Sequence, residues 1–275
     1  MVYTGQHYDY EMSKTFFEEF KIKEPNYWLD CKGEQVGKMV DSLIKIYKKE
    51  KPTCVIVYGD TNSTVAGALA AYQCRIPIVH IESGFRCGDK MMLEENNRIV
   101  TDHLSFVNFC ATQEAAENLK KEGITQNVFV VGDIHYQRYL EHRKNKKKYT
   151  LLTLHRPENV EDKDRLQKLV NIAHAYKHAT VFPCHPRTLK NIKKWGIVIP
   201  DNFKLIKPVN YGKMLQLIGG ANLVVTDSGG VIRESWYAGA PVVIARDTHE
   251  FKQIEACFDG ETEKKIINIV NKIFK

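Results

Sequence analysis

The 275-residue chain is 43% hydrophobic and carries 40 lysines and arginines against 33 acids, a formal net charge of +7. It has no apolar run near the roughly 20 residues a membrane span needs, no signal-peptide succession after Met1, and seven scattered cysteines without a CxxC pair. These features speak against a membrane span, a disulfide framework and a thiolate metal site, and for a cytoplasmic globular protein with reduced thiols and no metal or other cofactor. Much of the positive charge sits in the run Arg143 to Lys148, which reads as a solvated linker rather than a nucleic-acid site.

Met1 to Tyr3 reads as the tail of a strand, followed by an amphipathic helix from Met12 to Phe20 and a short strand at Tyr27 to Leu29. Gly33 to Glu50 is a longer helix, with Val36, Met39, Val40, Leu43, Ile44 and Tyr47 on one face. Cys54 to Tyr58 is short, apolar and β-branched, as a strand buried on both faces should be, and it stops at Gly59-Asp60. Thr61 to Thr64 can cap the next helix, whose small residues Ala66, Gly67, Ala68, Ala70 and Ala71 let it lie close on a sheet. A second buried strand, Pro77 to Ile81, ends at Glu82. Two parallel strands joined by a right-handed crossover bring Asp60 and Glu82 to one rim, where such sheets bind ligands. Two acids on one rim suggest acid/base chemistry.

Glu94 and Glu95 precede Asn97-Arg98 on a short helix, and for Glu95 charge stabilisation of the helix N-terminus is an adequate role. His80 and His103 read as packing or capping residues. The alternation continues with a strand near Phe106 to Cys110, a helix from Thr112 to Gly123 and a strand at Val128 to Val131. The basic run then marks the expected boundary, with a first domain over 1–143 and a second over 144–275. The second half shows strands at Leu151 to Leu154, Thr180 to Pro183, Lys204 to Ile206, Asn222 to Val225 and Pro241 to Ala245. Helices fall at Asp162 to Tyr176, Tyr211 to Ile218 and Glu261 to Phe274. Strand-helix alternation in both halves predicts an α/β fold of two Rossmann-like domains with parallel sheets.

Asp227-Ser228-Gly229-Gly230 joins a buried strand to a helix that begins at once. The open backbone N–H groups and the dipole there make a seat for phosphate, and glycine lets it come close. Glu234 is nearly two turns further and can face the ligand from below or sit on the surface. His155 and His185 each follow a buried strand on the same rim of the second sheet, and each has an arginine close behind, Arg156 and Arg187. Imidazole and guanidinium suit a pyrophosphate.

The segments TGQHYD (4–9), GDTNST (59–64), HIESGFR (80–86), EENNR (94–98), TDHL (101–104), LHRPEN (154–159), HPRT (185–188), DSGGVIRES (227–235) and ARDTHE (245–250) follow in order over nearly the whole chain. Together they resemble the non-hydrolysing UDP-N-acetylglucosamine 2-epimerases. The resemblance implies a glycosyltransferase-B-type pair of domains, UDP held mainly by the second, and interconversion of UDP-GlcNAc and UDP-ManNAc by elimination and re-addition of UDP. It places Asp60, Glu82, Glu94 and His155 at catalytic positions, His185, Ser228, Gly229, Gly230 and Glu234 at UDP contacts, and Arg246 near the cleft. The partners it implies are the UDP-sugar, with neither nucleic acid nor membrane, and a homodimer as an assembly it allows. A non-catalytic UDP-sugar-binding remnant and a glycosyltransferase of the same architecture are the competing readings. Against the family pattern the chain lacks an N-terminal strand with its Gly-Thr-Arg-Pro-Glu loop, a strand expected between Val2-Tyr3 and Cys54 to Tyr58. The first domain is therefore expected to be incomplete, with Val2-Tyr3 either pairing directly with Cys54 to Tyr58 or detaching. The terminal helix that packs back on the first domain is expected to be absent.

Overall fold

The structure is a computed structural model and describes residues 1–5, 17, 22–29, 31, 35–142, 149–176, 178–246 and 261–274. The expected helix from Met12 to Phe20, the basic run Arg143 to Lys148 and the end of the ARDTHE segment lie outside the described residues, except Phe17. The chain divides into two compact units, Met1–Asp133 with Thr262–Lys275, and Ile134–Glu261. Residues 134–143 and 262–275 thus fall on the other side of the division expected from sequence. Among the described residues no helix is long and apolar enough to cross a membrane.

In the first unit, strands β3 (Val55–Tyr58), β4 (Ile78–Ser83), β5 (Val107–Cys110) and β6 (Val128–Val130) form a wholly parallel sheet in that order. Strands β1 (Val2–Tyr3) and β2 (Tyr27–Trp28) form a separate parallel pair, so β1 does not move over to pair with β3. Period-two alternation sends Val55 and Val57 to one face of β3. There they pack on Met39, Leu43 and Tyr47 of helix α1 (Val36–Glu50) and on the alanines of helix α2 (Asn62–Gln73). Gly67 is the point of closest approach, because a Cβ there would stand 3.0 Å from Cγ1 of Val57.

The opposite face of this sheet presents Val79, Val107, Phe109 and Val131 to Ile266, Ile269, Val270 and Ile273 of the C-terminal helix. That helix (Thr262–Ile273; α11 in the chain order below) is amphipathic and belongs to the first unit. Its presence corrects the expectation that no terminal helix packs back on the first domain. The sequence of the helix was legible, but its partner was not, because an apolar stripe does not name the face it covers.

Helices α3 (Leu93–Leu104) and α4 (Gln113–Lys121) complete this unit. Leu93 opens α3 behind Met92, with Glu94 and Glu95 in the first turn. Thr112 caps α4 by accepting the Ala115 N–H at 3.1 Å.

The second unit holds helices α5 (Ile134–His142), α6 (Pro157–Val160), α7 (Lys163–Ala175), α8 (Pro186–Trp195), α9 (Tyr211–Gly220) and α10 (Gly229–Tyr237). Its strands β7 (Tyr149–Thr153), β8 (Ala179–Pro183), β9 (Phe203–Ile206), β10 (Leu223–Thr226) and β11 (Val242–Ile244) form a parallel sheet ordered β11-β10-β7-β8-β9. The order reverses direction at β7, so β7 and β10 lie side by side with their carboxyl ends on one rim, a topological switch point of an open α/β sheet. Helices α5, α6 and α8 were not anticipated; α6 and α8 each begin with a proline at their first position, after a loop reading that masked them. The six described cysteines are free thiols, and burial pushes Cys110 up to about 12 and Cys184 up to about 11.

Gly84, just past β4, fixes how that strand end meets α4. It has φ +83°, and an added Cβ would run into the Ala115 carbonyl and stand 3.1 Å from Leu119 Cγ. Gly84→Ala should therefore destabilise the first unit by about 2 kcal/mol or more, from left-handed strain and backbone overlap together. Urea unfolding of the variant checks this, and a midpoint equal to the parent's would show that α4 yields at no cost.

Candidate active site

Tyr58 stands opposite Ile81 in the β3–β4 ladder, so the turn after β3 and the end of β4 emerge side by side. Asp60 follows Gly59 out of β3, and Glu82 lies inside the last turn of β4, where the register against β5 shifts between Ile81 and Ser83. Glu82 has φ +75°, a left-handed backbone that costs a non-glycine residue about 1–3 kcal/mol. A bulge bends its strand and re-aims the side chain. The re-aimed carboxylate has its Oε2 3.3 Å from where a Cβ on Gly59 would stand, so glycine before Asp60 leaves the room that Glu82 occupies.

Asp60 is held by Arg98, which is 1% exposed and lies on α3. Its Nη2 and Nε both donate to Oδ2 of Asp60, at 2.7 and 3.1 Å, while Nη1 donates to Oε2 of Glu95 at 2.6 Å. Glu95 is itself buried and accepts the N–H groups of Cys87 and Gly88. Its role is thus to anchor a buried guanidinium and the loop before α3, rather than to offset a helix dipole from the surface. Glu94 precedes it by one residue, hence about 100° round the helix, and is half-buried in the first turn. Asn97 donates from Nδ2 to the Asp60 carbonyl at 3.0 Å and to Asn62 Oδ1 at 3.1 Å, tying α3 to the start of α2.

Beneath these acids lies a second buried cluster. Asp102 contacts His80 Nδ1 at 2.7 Å, accepts the Gly84 N–H at 3.2 Å and pairs with Arg86 at 2.8 Å. Nε2 of His80 meets the Gly59 carbonyl at 2.8 Å. Burial raises the Asp102 carboxyl, but the His80 and Arg86 contacts outweigh it and hold the group below the usual carboxylate range. His80 is thus a buried structural group, and it links the Asp60 turn to the exit of β4. His103 is exposed and meets the Ile99 carbonyl of its own helix.

In the second unit Asp227 plays the organising part. It is fully buried at the end of β10 and accepts the His155 N–H at 3.0 Å, the Arg156 N–H at 3.0 Å and Asn159 Nδ2 at 3.0 Å. Its Oδ1 also lies 2.9 Å from His155 Nδ1, which leaves Nε2 as the ring edge turned away from the carboxylate. Burial raises Asp227, but the His155 and backbone bonds win and its carboxyl sits below the ordinary range. His185 caps α8, accepting the Arg187 N–H at 3.2 Å. Partial burial, then His155 and Arg187 nearby, lower its pKa, so the two imidazoles at adjacent strand ends feel each other. The Nε of Arg156 is buried without a hydrogen-bond partner among the described residues.

Ser228 caps α10, its Oγ accepting the Val231 N–H at 3.4 Å and its own N–H donating to Thr226 Oγ1 at 3.0 Å. Gly229 and Gly230 form the first turn of α10, both partly exposed, as an anion seat at a helix N-terminus requires. Glu234 is buried further along α10, with Oε1 4.0 Å from where a Cβ on Gly230 would stand. Arg246 follows β11, partly exposed. The structure therefore brings together Asp60 and Glu82 in one unit, and His155, His185 and the Ser228 turn in the other.

Comparison with known proteins bears on what this arrangement serves. Residues 1–274 match the profile of the family described as UDP-N-acetylglucosamine 2-epimerase. The chain belongs to the UDP-N-acetylglucosamine 2-epimerase family. A UDP-N-acetylglucosamine 2-epimerase homolog of Methanococcus maripaludis is 40% identical over 99% of this chain and 84% of its own length. A UDP-2,3-diacetamido-2,3-dideoxy-D-glucuronate 2-epimerase of Pseudomonas aeruginosa is 39% identical over 94% of this chain and 77% of its own. The crystal structure of Methanocaldococcus jannaschii UDP-GlcNAc 2-epimerase, in complex with UDP-GlcNAc and UDP, superposes with a TM-score of 0.81 at 38% identity, covering all of this chain and 84% of that one. The fold class of this epimerase-family chain, two α/β units with parallel sheets, is the one its strand-helix alternation predicted.

Arg98 and Asp102 escaped the reading as site residues, and Asp227 was read only as part of the phosphate turn, not as the group that orients His155. A signal existed for the first, since Glu95 and Arg98 are three apart on one helix face. For the two aspartates there was none, because their partners lie 18 and 72 residues away.

The depressed Asp227 value carries a stability consequence. A carboxyl whose folded-state pKa lies below its unfolded value contributes fully above about pH 4 and loses that contribution as pH falls through the folded-state value. Asp227→Asn should cost the second unit about 2 kcal/mol at pH 7, where buried N–H groups lose a charged acceptor. The gap between parent and variant should narrow as pH falls below about 4. Urea unfolding at pH 7 and at acid pH tests it, and a gap of constant size would mean that Asp227 stays charged throughout or contributes nothing by its charge.

Proposed function

We propose that this chain interconverts UDP-GlcNAc and UDP-ManNAc by elimination and re-addition of UDP, in the cytoplasm and as a homodimer. The observation that carries the reading is the pair of carboxylates on adjacent strand ends, one gripped by a buried arginine and the other aimed by a strained bulge. C2–H of the sugar is not activated by a carbonyl, so the barrier falls only if the leaving pyrophosphate is stabilised. A carboxylate takes the C2 proton, the C–H electrons form a C1–C2 double bond, and UDP departs with the electron pair of the C1–O bond. Return of UDP with a proton delivered to the other face of C2 gives the epimer.

Asp60, Glu82 and Glu94 supply the proton transfers in this reading. The second unit holds UDP through the α10 N-terminus at Ser228, Gly229 and Gly230, with Glu234, His185 and Arg246. His155, oriented by Asp227, stands at the leaving oxygen and offers Nε2 to it. The open N–H groups of α10 and the unpartnered Arg156 Nε support a diphosphate there, since an anion satisfies such donors.

Incubation with UDP-GlcNAc in deuterated water should place deuterium at C2 of substrate and product. Asp60→Asn and Glu82→Gln should each lower that exchange by about 10²–10⁴-fold while leaving UDP affinity within about twofold. His185→Ala should instead weaken UDP by about tenfold, near 1.4 kcal/mol. UDP binding without any C2 exchange would favour a binding protein over an epimerase, and UDP release only on adding an acceptor would favour a glycosyltransferase.

A further inference from the structure

His80 lies on β4, fully buried, and the proton transfers proposed above make no use of it. Both of its ring nitrogens face oxygens. Nδ1 is 2.7 Å from Oδ1 of Asp102, on α3, and Nε2 is 2.8 Å from the carbonyl of Gly59, just past β3. A carbonyl only accepts, so Nε2 must carry a proton to meet it. The contact at Nδ1 then needs a second proton, either on the ring or on Asp102. Asp102 is the poorer place for it. Its Oδ2 already accepts the Gly84 N–H at 3.2 Å and faces Nη1 of Arg86 at 2.8 Å. Burial raises this carboxyl, but His80 and Arg86 outweigh burial and hold it below the ordinary range. With the proton on the ring, the imidazole donates from both edges, and no buried lone pair is set against another.

The surrounding charges agree. Arg86 also grips Glu122, just past α4, through Nε and Nη2, each at 2.7 Å. Among the described residues this cluster sets two carboxylates, Asp102 and Glu122, against one guanidinium, and a charged His80 makes the sum even. Cys110 of β5 contacts Ser83 and stays a neutral thiol, pushed up by burial to about 12. His103 is exposed, 3.9 Å from Glu122 on its outer side, and Asp60 and Glu95 are engaged separately by Arg98.

The Gly59 carbonyl belongs to the peptide plane that carries the Asp60 N–H. Gly59 has φ +67°, and a glycine does little to fix its own backbone, so its bonds must do so. Its N–H bonds the Ile81 carbonyl at 3.0 Å, and its carbonyl is held by His80. We propose that His80 is kept as a buried imidazolium and serves as a positioning residue for Asp60. The positioning role in catalysis rests on the epimerase reading, whereas the two ring protons do not. Arg98 fixes the Asp60 carboxylate from α3, and His80 fixes its backbone from β4. A charged donor holds its acceptor closer and about twice as strongly as a neutral one. Loss of one ring proton therefore either releases the Gly59 carbonyl or uncouples Asp102, and in both cases the turn that carries Asp60 loosens.

The test uses the full chain labelled for nitrogen NMR, with the His80 ring assigned through its backbone. At pH 7 both ring nitrogens should give imidazolium signals in long-range proton–nitrogen spectra. As pH is raised, loss of one ring proton should be matched, at the same midpoint, by a shift of the Asp60 amide signal. The kcat for C2 exchange from UDP-GlcNAc should fall with that midpoint, while KM stays within about twofold. Asp102→Asn removes the counter-charge and should move all three midpoints down together by about one pH unit or more. If that variant fails to fold, the parent series decides alone. A ring with one bare nitrogen at pH 7 would overturn the proposal. So would an Asp60 amide or an exchange rate that stays constant while the ring loses its proton, since His80 would then only fill space. If the chain shows no C2 exchange at any pH, the epimerase reading fails, and the two NMR signals still decide the charge of the ring and its hold on Asp60.

Discussion

A single buried guanidinium holds the first unit's rim in shape. Arg98 reaches Asp60 on the β3 turn and Glu95 on its own helix, and Glu95 in turn binds the backbone of residues 87 and 88. Taking such a charge out of water costs several kcal/mol, which only close, well-directed partners offset. Both partners are within 2.7 Å, and the acids themselves are thereby fixed relative to α3. The loop from β4 to α3, the helix and the β3 turn are consequently one mechanical object, and the position of Asp60 depends on all three.

The same device recurs in different chemistry. Asp102 in the first unit and Asp227 in the second are buried carboxylates that gather backbone N–H groups and a histidine at the ends of parallel strands. Strand ends leave such donors open, and a carboxylate satisfies several at once. In one unit the histidine is sealed in and braces Gly59; in the other it is half outside, with one nitrogen committed to Asp227 and the second available. Burial alone separates a structural imidazole from one that can meet a substrate.

The family names a chemistry; the bulge at Glu82 and the glycine-built first turn of α10 supply local reasons why these particular residues could carry it. The strained backbone at Glu82 persists because the β4–β5 ladder and the packing of Gly84 on α4 leave it no relaxed alternative.

Sequence alone determined the elements that local forces dictate. The apolar β-branched runs became parallel strands, Thr112 became a cap, and Asp60 and Glu82 came to one rim because parallel crossover fixes which ends of neighbouring strands coincide. The short helices after His155 and His185 were missed, since a proline reads as a breaker until it is seen to occupy the first helical position. Glu95 was misjudged for a related reason, as one charge on a helix start looks like any other until burial is known. Only the tertiary structure decided that the C-terminal helix covers the first sheet and that Asp227 holds His155 from 72 residues away. Local pattern fixes what a segment is, but which segments meet depends on packing among residues remote in the chain, and that information is in no single stretch of it.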